Sequence, residues 1–146
     1  MLRNLRMIFT IALFAFIANQ AEAQCFSYAR GMCKSELKEF VHDGNYNATI
    51  LSEGETAEIY KTFFSGQEYR VVVCKVDSLP PVNFKVIDGE DNILFDSEKQ
   101  GGANVWDFKV ESTQQLIIHV EVSEKDKNSK EKTAGCVSIL FGIKRD

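Results

Sequence analysis

Histidine is scarce in this chain: His42 and His119 are the only two among 146 residues. Any Ser-His-Asp arrangement has to use one of them, and neither setting suits it. His42 closes a helical-looking stretch, where a cation complements the helix dipole, and His119 alternates with apolar strand neighbours. The four cysteines include no C-x-x-C unit, and with so few histidines that spacing argues against zinc. Also missing are a nucleophile elbow, a phosphate-binding glycine loop and an H-E-x-x-H helix. There is no basic stripe, and the net charge is −4, which makes nucleic acid a poor partner. Beyond residue 23 no apolar run approaches the roughly 20 residues that span a bilayer. These absences remove most catalytic classes, call for no metal or cofactor, and leave a chain without a transmembrane segment in its mature part.

What is present begins with "MLRNLRMIFTIALFAFIANQAEAQC". Arg3 and Arg6 are followed by an apolar run from Met7 to Ile17 and by the small-x-small sequence Ala21-Glu22-Ala23, the layout of a secretory signal peptide. Residues 1–23 are therefore expected to be removed, with cleavage between Ala23 and Gln24. A lipid-modified Cys25 is disfavoured because Gln24, not a small residue, precedes it. Cys25, Cys33, Cys74 and Cys136 all remain after cleavage, and an even count in an exported domain reads as two disulfides. The expected location is secreted or periplasmic.

Residues 24–47 read as an N-terminal helical segment. "SELKEFVHD" offers Ser35 as a cap, acidic residues in the first turns, and Leu37, Phe40 and Val41 on one face. From 48 to 146 the period changes to strands. Eight runs stand out: "ATILS", "AEIYKTFF", "EYRVVVCKV", "VNFKVID", "NILFDS", "VWDFKVE", "QLIIHVEV" and "GCVSILFGIK". Turn-forming or solvated stretches separate them. Short, closely spaced strands with no intervening helix indicate an all-β fold, an eight-stranded jelly-roll-like antiparallel sandwich with a short N-terminal helix. Alternation assigns the inner faces to Val82, Phe84 and Val86, to Trp106, Phe108 and Val110, and to Leu116, Ile118, Val120 and Val122.

In such a sandwich the third and last strands are antiparallel neighbours, with Cys74 late in one and Cys136 early in the other. That arrangement predicts a Cys74–Cys136 bond closing a loop of about 62 residues, a constraint of about 4 kcal/mol on the unfolded chain. It leaves Cys25 to pair with Cys33. These two cannot both sit in one straight helix, since eight residues of helix separate them by ~12 Å, so the helix is placed at or after Cys33. Leu37, Phe40 and Val41 are then expected to cover Val72, Val76 and Leu140 on the outward face of the cysteine strand.

"FFSGQEYRVVVCKV", "FKVIDGEDNILFDS", "STQQLIIHVEV" and "GCVSILFGIK" together resemble the bacterial pre-peptidase C-terminal domain, a jelly-roll-like accessory module of secreted proteins. They are also similar to GOLD-type sandwiches of secretory-pathway cargo receptors. The resemblance spans residues 48–144 and implies a non-catalytic β-sandwich module. It departs from those families at "QQLII", where a Gly-x-Tyr is usual, and in lacking a partner catalytic domain or a receptor's tail. The whole arrangement resembles small exported proteins of Bacteroidetes-type bacteria.

Two local motifs have competing readings. "DGEDN" at 88–92, with Asp96, offers oxygens for calcium, but a hairpin turn with Gly89 at positive φ explains it more simply. Asn47-Ala48-Thr49 is a glycosylation sequon only in a eukaryotic source. Among aromatics, Tyr60, Phe63 and Phe64 give the second run apolar residues on both faces and make it the candidate partner surface. The expected function is that of a secreted, non-catalytic binding or structural module, whose partner is a protein or envelope component. The alternatives are a carbohydrate-binding module and a small hydrolase with a dispersed site.

Overall fold

The computed structural model describes residues 23–126 and 128–145, so the leader reading of residues 1–23 lies outside it except for Ala23. Among the described residues nine strands follow the N-terminal segment: β1 Val41–His42, β2 Asn47–Ser52, β3 Thr56–Phe63, β4 Glu68–Lys75, β5 Val82–Ile87, β6 Ile93–Asp96, β7 Val105–Lys109, β8 Gln114–Val122 and β9 Ala134–Ile143. They form two antiparallel sheets. In the first, β1 and β2 lie along one side of β9, followed by β4 and β7; the second has the order β3-β8-β5-β6. The protein is an all-β sandwich, as expected, and each of the eight runs holds one strand.

The alternation works as predicted. Phe84, Val86, Leu116, Ile118, Val120, Val122, Val137, Ile139 and Phe141 are buried between the sheets, where removal from water stabilises the fold by about 25 cal/mol per Å² of apolar surface. Trp106 stacks on Phe108 with ring centroids 4.1 Å apart and on Phe95 at 5.3 Å, linking the two sheets through aromatic contacts. The third and last runs, β4 and β9, are indeed antiparallel neighbours.

The N-terminal segment differs from expectation. Residues 23–31 are helical and a 3-10 helix spans Cys33–Leu37. Cys25, Ala29, Cys33 and Leu37 are buried at a spacing of four, one face of a helical path laid against the first sheet. No helix runs from Ser35 to Asp43. The turn ends at Lys38, which takes φ 51°, and Val41 and His42 then pair with Ile143 and Gly142 of β9. The edge of β9 supplies hydrogen bonds that a helix there would have left unused.

The disulfides are also re-paired. Cys25 bonds Cys136 and Cys33 bonds Cys74, with Cα separations of 5.2 and 5.8 Å; the predicted Cys74–Cys136 and Cys25–Cys33 bonds do not form. The reason is register. Cys74 stands opposite Ser138, so Cys136 is a diagonal neighbour roughly 7–8 Å away. Each sulfur reaches outward to the N-terminal segment instead. A Cys25 engaged in this way has no sulfur left for a lipid. Two disulfides are a mark of oxidising, extracytoplasmic compartments. Among the described residues no helix is long and apolar enough to cross a membrane.

The segment seals the outer face of the first sheet. Cys33, Leu37 and Phe40 pack on Val72 and Leu140. Val41 is exposed and Val76 packs with the main core, so the cover is narrower than expected. Gly142 permits the close approach, since a Cβ there would lie 2.6 Å from Phe40 Cβ. Arg70 fastens the far end. Its guanidinium donates to both Asp107 oxygens at 2.7 Å and to the Glu36 and Leu37 carbonyls, and it stacks over Phe40 at 4.5 Å.

Candidate binding surface

Among the described residues nothing comparable covers the outer face of the second sheet. Alternation along β3 turns Glu58, Tyr60 and Thr62 outward, and Phe64 continues the same side. Pairing fixes their neighbours. Glu58 stands opposite His119, His119 opposite Lys85, and Lys85 opposite Asp96, which makes one charged row. Tyr60 stands opposite Ile117, Ile117 opposite Ile87, and Ile87 opposite Ile93, which makes an apolar row beside it. Tyr60 is 59% exposed, Ile93 51% and Leu94 43%.

The two rows are tied together at Glu58. His119 Nδ1 lies 3.0 Å from Glu58 Oε1, and the Tyr60 hydroxyl donates to Oε2 at 3.2 Å. The hydrogen bond from His119, then that from Tyr60, holds the Glu58 carboxyl below its usual range. The same contact raises the Tyr60 hydroxyl, which loses its acceptor partner's stabilisation on ionising. Tyr60 is therefore oriented by a carboxylate that is itself oriented.

Phe64 projects from the β3–β4 turn and is 60% exposed. The turn is well fastened: Phe64 N–H donates to the Tyr69 hydroxyl, Ser65 N–H to Thr113 Oγ1, and Gly66 N–H to the Val110 carbonyl. Phe63 corrects the predicted trio. It is fully buried, in edge contact with Tyr69 and Phe108 at 4.9 and 5.1 Å, because its parity on β3 points it between the sheets. Trp106 also faces inward. Of the predicted aromatics only Tyr60 and Phe64 are presented to solvent, and no flat aromatic pair for a sugar ring is formed by Tyr60, Phe63, Phe64 and Trp106.

The other candidates have structural employment. Asp88 accepts from the Asn92 side chain and from the Asn92 and Glu90 backbone N–H groups, which keeps its carboxyl below the usual range. Positive φ falls on Asp91, at 63°, and not on Gly89; aspartate tolerates this region by bonding locally. Among the described residues no group of three His, Cys, Asp or Glu side chains is placed to hold a metal. His42 is in β1 instead of at a helix end, its Nε2 3.1 Å from the Asn45 carbonyl and its ring 4.3 Å from that of Tyr46. Asn47 donates its side-chain amide to the Ile139 carbonyl, so the sequon's acceptor nitrogen is engaged. Alternation with apolar neighbours turns His119 outward, but its contact with Glu58 depends on cross-strand register, which no local pattern displays.

Comparison with protein families and with curated proteins finds no match. Among solved structures, the chain is similar to Aeromonas hydrophila PliG, a periplasmic lysozyme inhibitor of g-type lysozyme. The TM-score is 0.51 at 13% identity, covering 73% of this chain and 89% of that one. The likeness is one of fold.

Proposed function

We propose that the protein is an exported, non-catalytic module that binds another secreted protein through the outer face of its second sheet, centred on Tyr60 and Phe64. The observation that carries this reading is the unequal treatment of the two outer faces: one is sealed by a disulfide-fastened segment, while the other displays a contiguous apolar row beside an oriented charged row. Single exposed apolar residues need no explanation, whereas a contiguous patch rimmed by polar groups does. Tyrosine suits such a role because it offers large contact area at small entropic cost. The fold likeness to an inhibitor of a g-type lysozyme supports a protein partner and makes a wall-degrading enzyme of that class the first to test.

The test is inhibition of g-type lysozyme in a cell-wall lysis assay, with binding measured by calorimetry. Wild type is expected to bind and inhibit, and Tyr60→Ala with Phe64→Ala to weaken binding at least about 30-fold, the scale of a hot-spot loss. Equal inhibition by the double variant would overturn the surface. Absence of binding to the enzyme would remove that partner, and capture of a different secreted protein that depends on Tyr60 would replace it.

A further inference from the structure

Cleavage between Ala23 and Gln24, the position that the small-x-small sequence selects, makes glutamine the first residue of the exported chain. The fold gives that residue a defined place. Gln24 is exposed and lies in the helical stretch 23–31, while its neighbour Cys25 is buried and tied to Cys136. The new chain end is thus held against the sandwich, one residue from a staple. Beside it opens a cavity of about 280 Å³, lined by Tyr28, Ile50 and Val76 together with Gln24 itself.

An α-ammonium is poorly placed there. The start of a helix carries partial positive charge and opposes a cation, and apolar cavity walls solvate one badly. Glutamine in first position can remove that charge by its own chemistry. The unprotonated α-amino nitrogen attacks the side-chain amide carbon and closes a five-membered ring. The N–Cδ bond forms, the Cδ–Nε2 bond breaks, and an amine proton passes to the departing nitrogen, which leaves as ammonia. The step needs no oxidant, reductant or co-reactant, and its product is a neutral lactam. Because Gln24 is exposed, closing the ring displaces no buried side chain.

We propose that Gln24 is a modification site, and that the mature chain begins with pyroglutamate instead of a free amine. The proposal rests on the expected cleavage after Ala23 and is independent of the face assigned to the protein partner. A lactam gives an aminopeptidase no amine to hold, so trimming stops short of Cys25 and its bond to Cys136.

The test expresses the full chain with its own leader in a bacterial host and holds the exported product at neutral pH for several days. Its intact mass is then measured, and the reduced, alkylated chain is sequenced from the amino end. The expected mass is that of residues 24–146 with two disulfides, less one molecule of ammonia. Sequencing should begin at Cys25, and only after treatment with pyroglutamyl aminopeptidase. Gln24→Asn retains an amide but would have to close a strained four-membered ring, so it should keep its ammonia and be sequenced without the enzyme. A wild-type chain that begins at Gln24 with a free amine would overturn the modification and leave the cleavage standing. A chain that begins elsewhere would overturn both. Ammonia loss that persists in Gln24→Asn would place the reaction at another residue and overturn the proposal as well.

Discussion

Val72 and Tyr60 both point away from the core, each on the outer face of its sheet, yet Val72 is fully buried and Tyr60 is 59% exposed. The difference comes from residues 24–42. They bring two cysteines, Leu37 and Phe40 onto the first sheet and bring nothing to the second. Composition follows the same division. The outward positions of β4 and β9 include Arg70, Val72, Cys74, Cys136, Ser138 and Leu140, which lie under the lid. Those of β3 and β8 include Glu58, Thr62, Gln115 and Glu121, which tolerate water, with an apolar row set among them. Among the described residues one face is covered by the chain itself, and the other is left to solvent.

The contrast is broken most severely by removing a staple. Replacing Cys25 and Cys136 with serine opens a closure spanning 111 residues and should cost about 4–5 kcal/mol in denaturant unfolding by the loop-entropy model. Phe40→Ala comes next. With the disulfides intact it should behave as a core truncation and cost about 3 kcal/mol; a change within roughly 0.5 kcal/mol would mean that the segment does not seal the sheet. The equivalent change on the open face, Tyr60→Ala, should leave stability within roughly 0.5 kcal/mol while weakening partner binding, and a loss like that of Phe40 would make Tyr60 structural. The smallest effect concerns Glu58. Its carboxyl is depressed in the folded state, so its contribution is present above the unfolded value of about 4.3 and fades as pH falls through the folded one. The stability gap between wild type and Glu58→Gln should therefore close in acid, and a gap independent of pH would remove the ionised contact with His119.

Much of the sandwich was legible because period-two alternation is a local signal. Val82-Asn83-Phe84-Lys85-Val86 declares its buried face without help from the rest of the chain, and so does Leu116 to Val122. The N-terminal segment was not legible in the same way. "SELKEFVHD" has helical spacing, but Cys33 must meet Cys74 while Val41 must meet the edge of β9, and these tertiary demands end the helical path at Lys38. Cysteine pairing failed for a related reason: strand neighbourhood follows from order, whereas a two-residue offset in register does not. The candidate surface was half legible. Parity separates Tyr60 and Phe64 from Phe63, yet which of the two faces is covered depends on the lid, and the charged row depends on the pairing of four strands.

The connectivity of the two staples bears on how such a chain matures. In a polypeptide that leaves its membrane amino end first, Cys25 and Cys33 emerge together and long before their proper partners, which lie 111 and 41 residues further on. The first bond open to an oxidant is thus Cys25–Cys33, which the finished protein does not contain. Once formed, it must be undone by thiol exchange before either staple can close, and such reshuffling takes seconds to hours according to the isomerase available. Yield in a host that oxidises quickly and isomerises poorly would be limited by this early wrong turn, in molecules whose β-sheets are otherwise able to form.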